Sequence, residues 1–382
     1  MKYKKFTAAI TRVLFIDSSF MLSKECINAI INTGNELKYI HIDADSYNSL
    51  TFRNNLLETI SSFKPDFVLS VNHYGYDKEG TMADLFNKIE LPYVSWFVDS
   101  PDIVLSSYNT DDISSDFLNI FVWDDYFLSF LKSQGYKNCY FLPLATDTDI
   151  FYPKTLDFIH TVSFVGSSLT NVIHKNMKSW IHRDDMLMKF LQFSNDNNTE
   201  LINNYIINLD KRLQKDFQAA LLWKQTQNYR LSCLSYLKKF NATISGDPNW
   251  TNILPQQYNY IPERWYYDNL NDFYNGSTIN FNTTSLQMPN AVNQRVFDVS
   301  ACKKFLITDY KQQIASFFQS KDNMVWYEKL EEIPDLITYY LKNTKERDKI
   351  AENAYNIVVN NHTYKHRLNK MIEILKNKYK DI

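Results

Sequence analysis

The stretch "MPNAVNQRVFDVSACKKFLITDY", Met288 to Tyr310, sets Arg295 and Asp298 between a proline and an apolar run. A helix that only filled a core would need neither residue. Pro289 suits a first helical turn. Val292, Val296 and Val299 share one face, so the spacing predicts a helix running into a sheet. Its first amides and Arg295 would favour an anion such as a diphosphate. The Asp298 carboxylate could accept two hydrogen bonds from a ribose diol. The competing reading is an Arg295–Asp298 ion pair on a solvated helix face.

Other candidates also close apolar runs. "SFVGSS" ends in Gly166, where the backbone can approach a phosphate, and then Ser167 and Ser168, whose hydroxyls can donate to it. It is neither a Walker loop nor GxGxxG, and a plain turn is the alternative. "SGDPNW" (245–250) is equally a turn sequence. In "YIPE", backbone groups of Tyr260, Ile261 and Pro262 could read a nucleobase edge. Asn282, closing "STINFN", and Asn290 and Asn293, ahead of Arg295, add side-chain amides to the polar groups at these strand ends. In the N-terminal half, His73 follows "DFVLSVN" and Asp99 closes "YVSWFVD". Either could act as general base or orient an acceptor hydroxyl. The bland alternatives are a turn cap for Asp99 and a hydrogen-bonded, half-buried imidazole for His73. There is no nucleophile elbow and no metal-ligand cluster, and "DTD" (147–149) falls in a linker.

These residues need strands to carry them. Up to about residue 150, short apolar runs alternate with helical patterns: "RVLFID", "YIHID", "DFVLSVN", "YVSWFVD", "NIFVWD" and "NCYFLPL". Near-continuous apolar strands separated by helices predict a parallel sheet covered on both faces. Ligands gather at the C-terminal ends of such strands. A second series follows: "TVSFVGSS", "ATISGD", "YNYIP", "STINFN", "KFLITD" and "NMVWY". The long helical stretch of about 175–240 exceeds a simple crossover and reads as an insertion. The expected division is a first Rossmann-like domain at 1–152, a second with the helical insertion at 153–360, and a C-terminal helix at 361–382 packing back on the first. The fold class is thus α/β with two Rossmann-like domains.

Composition narrows the partners. The 382 residues exceed what one core usually organises. A net charge of −2 without a basic run excludes nucleic acid as the expected partner. Cys26, Cys139, Cys233 and Cys302 are widely spaced, which fits reduced thiols rather than disulfides or zinc. No run reaches the roughly 18 apolar residues of a transmembrane segment, and no signal-peptide pattern is seen. A cytoplasmic location is expected. The basic start, Met1 to Lys5, leaves room for peripheral membrane contact.

Taken in order, "LPLATDTDIFYP", "VSFVGSS", "ISGDPNW", "FYNGSTINFNTTSLQMPNAVNQRVFDVSAC", "FLITD" and "HTYKHR" resemble the CgeB-like, spore maturation protein type of glycosyltransferase. "SWFVDSP" and "VNHYGYDKEG" resemble its N-terminal half. The resemblance implies the GT-B architecture, with two Rossmann-like domains facing a cleft. It implies transfer of a sugar, by default from a UDP-sugar, to a protein, glycan or lipid acceptor. No metal or other cofactor is implied. Retaining enzymes of this architecture carry two glutamates eight positions apart; aligned here, the second is Asp298 and the first is Asn290. Lys303 stands where the family usually has glycine. These departures motivate an alternative, a non-catalytic GT-B-fold protein that binds nucleotide sugars or serves assembly.

Overall fold

The computed structural model describes residues 2–19, 22–42, 49–105, 108, 115–196, 198–254, 257–264 and 266–381. Asp43, expected to close the second strand, and Phe20 and Met21, expected to open the first helix, lie outside the described residues. The chain divides into two compact units. Unit 1 comprises 1–147, 289–291 and 360–382, and unit 2 comprises 148–288 and 292–359. The first boundary thus falls five residues before the one expected at 152/153.

Unit 1 is a six-stranded parallel sheet in the order β2-β1-β3-β4-β5-β6. Its strands are β1 (Arg12–Asp17), β2 (Glu36–His41), β3 (Phe67–Val71), β4 (Tyr93–Phe97), β5 (Leu118–Val122) and β6 (Cys139–Phe141). Every residue of β3, β4 and β5 is buried, as their unbroken apolar runs require of a sheet covered on both faces. The connecting helices are α1 (Ser23–Asn32), α2 (Leu50–Phe63), α3 (Thr81–Ile89), α4 (Pro101–Leu105) and α5 (Phe127–Ser133).

Unit 2 holds β7 (His160–Val165), β8 (Thr243–Gly246), β9 (Asn259–Pro262), β10 (Ser277–Phe281), β11 (Leu306–Asp309) and β12 (Val325–Tyr327). All pairs are parallel, in the order β12-β11-β10-β7-β8-β9. That is the doubly wound Rossmann order, whose direction reverses between β7 and β10. Four helices fill the β7–β8 connection: α6 (Thr170–Met177), α7 (Asp184–Phe193), α8 (Thr199–Ile207) and α9 (Lys211–Ser235). They build a core of their own around Trp180, Phe190, Phe193 and Phe217, so the insertion is a small module rather than a crossover.

Short α10 (Trp250–Ile253) and α11 (Leu270–Asn275) precede α12 (Gln294–Ala301), the helix expected after Pro289. Next come α13 (Gln312–Phe318), α14 (Ile333–Lys342) and α15 (Thr344–Asn361). The last helix, α16 (Tyr364–Tyr379), begins in a capping box between Thr363 and His366. Within unit 1, buried Arg367 of α16 donates to the carbonyls of Pro143 (2.9 Å) and Leu144 (3.0 Å). Burial pushes its pKa down to about 10.

Candidate functional site

The strand reversal leaves the loops after β7 and β10 side by side at the carboxyl edge of the unit 2 sheet. Asn282 follows β10 and is fully buried. Its Oδ1 accepts hydrogen bonds from Arg295 Nη1 (2.8 Å) and Asn293 Nδ2 (3.0 Å), while its Nδ2 donates to Thr308 Oγ1 (2.9 Å). Asn293 is the N-cap of α12, yet its side chain turns to Asn282 instead of the helix amides. Three expected site residues are therefore one hydrogen-bonded group. Buried Asp309, at the end of β11, orders the same edge by accepting from the Thr284 amide (2.9 Å) and hydroxyl (2.8 Å).

A second arginine joins them. Arg230 of α9 stands 5.6 Å from the centre of the Phe164 ring, and Arg295 stands 6.0 Å from the same ring. Phe164 is a buried residue of β7. Arg230 is itself only 6% exposed. Burial and then the neighbouring Arg295 charge bring its pKa down to about 9. Among the described residues neither guanidinium is ion-paired; each donates to a neutral oxygen, on Ser167 and Asn282 respectively. Two like charges over one ring repel each other, and an anion between them would reverse the sign of that energy. The sequence reading missed Arg230. Its signal is that Thr226, Gln227 and Arg230 continue the buried face of α9 that ends in Cys233 and Leu234. Polar residues on the apolar face of an amphipathic helix need a polar target.

The glycine-serine loop is used differently from expectation. Asp247 accepts from the Ser167 hydroxyl (2.9 Å), the Ser168 hydroxyl (2.7 Å) and the Ser168 amide (2.6 Å). Burial alone would raise its pKa, but these hydrogen bonds and those from Asn249 outweigh it and hold the carboxyl below the usual range. An internal carboxylate thus occupies the donors that the sequence reading reserved for phosphate. The loop also needs Gly246: a Cβ there would lie 2.2 Å from the Gly166 carbonyl oxygen.

Two further expectations are corrected. Asp298 is wholly buried, with Oδ2 accepting from Tyr266 (3.2 Å), whose hydroxyl in turn accepts from Gln294 Nε2 (3.1 Å). It offers no surface to a ribose, and it makes no ion pair with Arg295, so the bland alternative fails as well. Asn290 belongs to unit 1. Its amide donates to Asp124 Oδ2 (3.0 Å) and its side chain to Asp125 Oδ1 (3.1 Å), both residues of unit 1. Tyr260, Ile261 and Pro262 form edge strand β9, two strands from β7. There the Tyr260 hydroxyl donates to the Gly246 carbonyl (3.1 Å), and the Pro262 carbonyl accepts from Ser245 (3.0 Å).

In unit 1, Asn72 ties two strand ends together. Its Oδ1 accepts from the Val98 amide (2.8 Å), and its Nδ2 donates to Asp99 (2.8 Å). Asp99 keeps partial exposure. His73 does not: it is 1% exposed and ringed by Tyr76, Tyr93, Phe97 and Tyr108. Neither ring nitrogen has a hydrogen-bond partner among the described residues, and burial pushes its pKa down to about 3. A base so enclosed has no solvent to exchange protons with. Among the described residues no group of three or more His, Cys, Asp or Glu could hold a metal ion.

Residues 227–373 match a sequence family described as Glycosyl transferase-like. No curated protein sequence matches the chain. Solved structures of similar fold include sucrose-phosphate synthase from Thermosynechococcus elongatus, 7% identical, covering 97% of this chain and 99% of that one, with a TM-score of 0.61. A glycosyltransferase from Rickettsia africae is 13% identical over 97% of this chain and 99% of its own, with a TM-score of 0.60. Anabaena HepE, solved with UDP-glucose, is 9% identical over 96% of this chain and all of its own (100%), with a TM-score of 0.57. The fold is the two-Rossmann GT-B architecture.

Proposed function

We propose that this protein is a glycosyltransferase that takes its sugar from a nucleoside diphosphate donor. One observation carries the reading: Arg230 and Arg295, neither of them ion-paired among the described residues, converge on Phe164 at the strand reversal of a Rossmann-order sheet. Breaking the glycosidic bond leaves a diphosphate with growing negative charge. Fixed guanidinium groups stabilise that charge without reorganising. Asn293 and Asn282 hold Arg295 in place for it. The two arginines supply positive charge themselves, and metal independence is part of the proposal. UDP is the first probe because HepE of like fold was solved with UDP-glucose.

Unit 1 supplies the acceptor side in this reading. Asp99, steadied by Asn72, would orient the attacking hydroxyl of a protein, glycan or lipid. Transfer with retention and a hexosyl donor are parts of the proposal, as are a cytoplasmic location and room for peripheral membrane contact. No helix of the described residues is long and apolar enough to cross a membrane.

The test is a panel of nucleotide sugars in thermal unfolding, followed by product analysis. Donor at 100 times its Kd should stabilise the protein by about 2.7 kcal/mol. Arg295→Ala removes charge-assisted hydrogen bonds worth about 1.5–3 kcal/mol, so donor affinity should fall roughly 10- to 150-fold. Unchanged affinity in that variant would sink the proposal. A second reading has its own support. Asp247 occupies the serine donors, and Asp298 is closed off, which favours a protein that binds nucleotide sugar without turnover. Donor binding with no transfer or hydrolysis across a broad acceptor screen would select it.

A further inference from the structure

Side chains from two helices hold every carbonyl of the run Gly166–Ser168. Trp250 Nε1 donates to the Gly166 carbonyl (2.7 Å), Arg230 Nη1 to that of Ser167, and Gln227 Nε2 to that of Ser168 (2.7 Å). The amides are nearly all used too. Gly166 N–H donates to the Ser245 carbonyl (3.0 Å) and Ser168 N–H to Asp247 (2.6 Å). Leu169 N–H donates to Ser167 Oγ (3.1 Å) and Thr170 N–H to Ser168 Oγ (3.2 Å). Among the described residues, only the Ser167 amide of this run has no acceptor.

The two groups of one peptide point in opposite directions. With the Gly166 carbonyl drawn to Trp250, the Ser167 N–H must face away from that indole. Arg230 then holds the carbonyl on the far side of Ser167, so both peptide planes around this amide are set. Gln227, only 6% exposed, fixes the next plane. Its helix, α9, is anchored elsewhere: Phe217, Ala220 and Leu221 lie in the module core with Trp180 and Phe190. Loop and module therefore share one rigid rod.

We infer that Trp250 and Gln227 are positioning residues that present the Ser167 amide, in place of the serine hydroxyls, to an oxyanion beside Arg230 and Arg295. The helical module is the buttress that keeps Gln227 in register. This inference rests on the donor reading above, and the test separates the two. Trp250→Phe deletes the indole donor at the cost of a smaller ring, and Gln227→Glu keeps the shape but turns the amide donor into a carboxylate. Hydrogen exchange of the 166–170 amides should rise about tenfold in both, with β7 still protected. UDP affinity should fall by about tenfold, a loss of about 1.4 kcal/mol. Phe190→Leu, remote in the module core, should loosen the loop and weaken UDP in the same direction but less. Arg295→Ala should lose UDP affinity without faster loop exchange. A loosened loop with unchanged UDP affinity overturns the positioning role and leaves the donor reading standing. Exchange unchanged in Trp250→Phe and Gln227→Glu overturns it as well. Wild-type protein that binds neither UDP nor pyrophosphate overturns both readings.

Discussion

Single side chains that read alike in sequence separate once their surroundings are known. His73 and Asp99 each follow a strand of unit 1, yet one is enclosed by aromatic rings and the other stays within reach of solvent. The enclosure makes a test. A histidine whose pKa falls from 6.5 unfolded to about 3 folded binds fewer protons in the native state between those values. Stability must therefore rise with pH across that window and be lost as pH drops below the unfolded value. From pH 7 to pH 5 this one group should cost about 2 kcal/mol. His73 sits at φ +66°, and asparagine tolerates that left-handed backbone. His73→Asn should therefore lose this pH dependence; urea unfolding at both pH values checks it. Asp298 teaches the same lesson. Its residue type was right for a diol, but the Tyr266 hydroxyl already holds it.

At the scale of elements, the strands were largely visible in the sequence, because unbroken apolar runs have few other fates. Helix α12 was legible from the spacing of Val296 and Val299, but Pro289 does not open it: Asn293 is the N-cap, and Val292 lies outside the helix. Arg230 was not, because an arginine inside an amphipathic stretch normally lies on the solvated face. Asp247 was not, because Gly-Asp-Pro reads as a turn whatever its carboxylate does. Close approach of β7 and β8 supplies a prediction. Gly246→Ala puts a methyl against a backbone carbonyl and the Trp250 indole, at 2.2 Å and 2.6 Å, which no rotamer change relieves. Destabilisation of about 2–3 kcal/mol is expected, with weaker UDP binding as the loop shifts. In unit 1, Thr363→Ala breaks the α16 capping box and should cost about 1 kcal/mol by urea denaturation.

For the molecule as a whole, unit 1 is discontinuous: its last segment, 360–382, is made after all of unit 2. Arg367 closes it by gripping carbonyls of the segment that ends unit 1's first pass. A chain ending at residue 360 should therefore lose unit 1 selectively. Limited proteolysis should cut within 1–147 while fragments of 148–359 survive; equal sensitivity of both would refute this division. The sequence by itself determined the two parallel sheets and the added helical module, since hydrophobic period and turn chemistry are local properties of the chain. Only the tertiary structure decided which polar groups meet. It brought Arg230 from a distant segment to Asn282, Asn293 and Arg295, gave the serine loop to Asp247 and buried Asp298. Burial and hydrogen-bond partnership depend on what the fold brings alongside a residue, and no spacing along the chain records that.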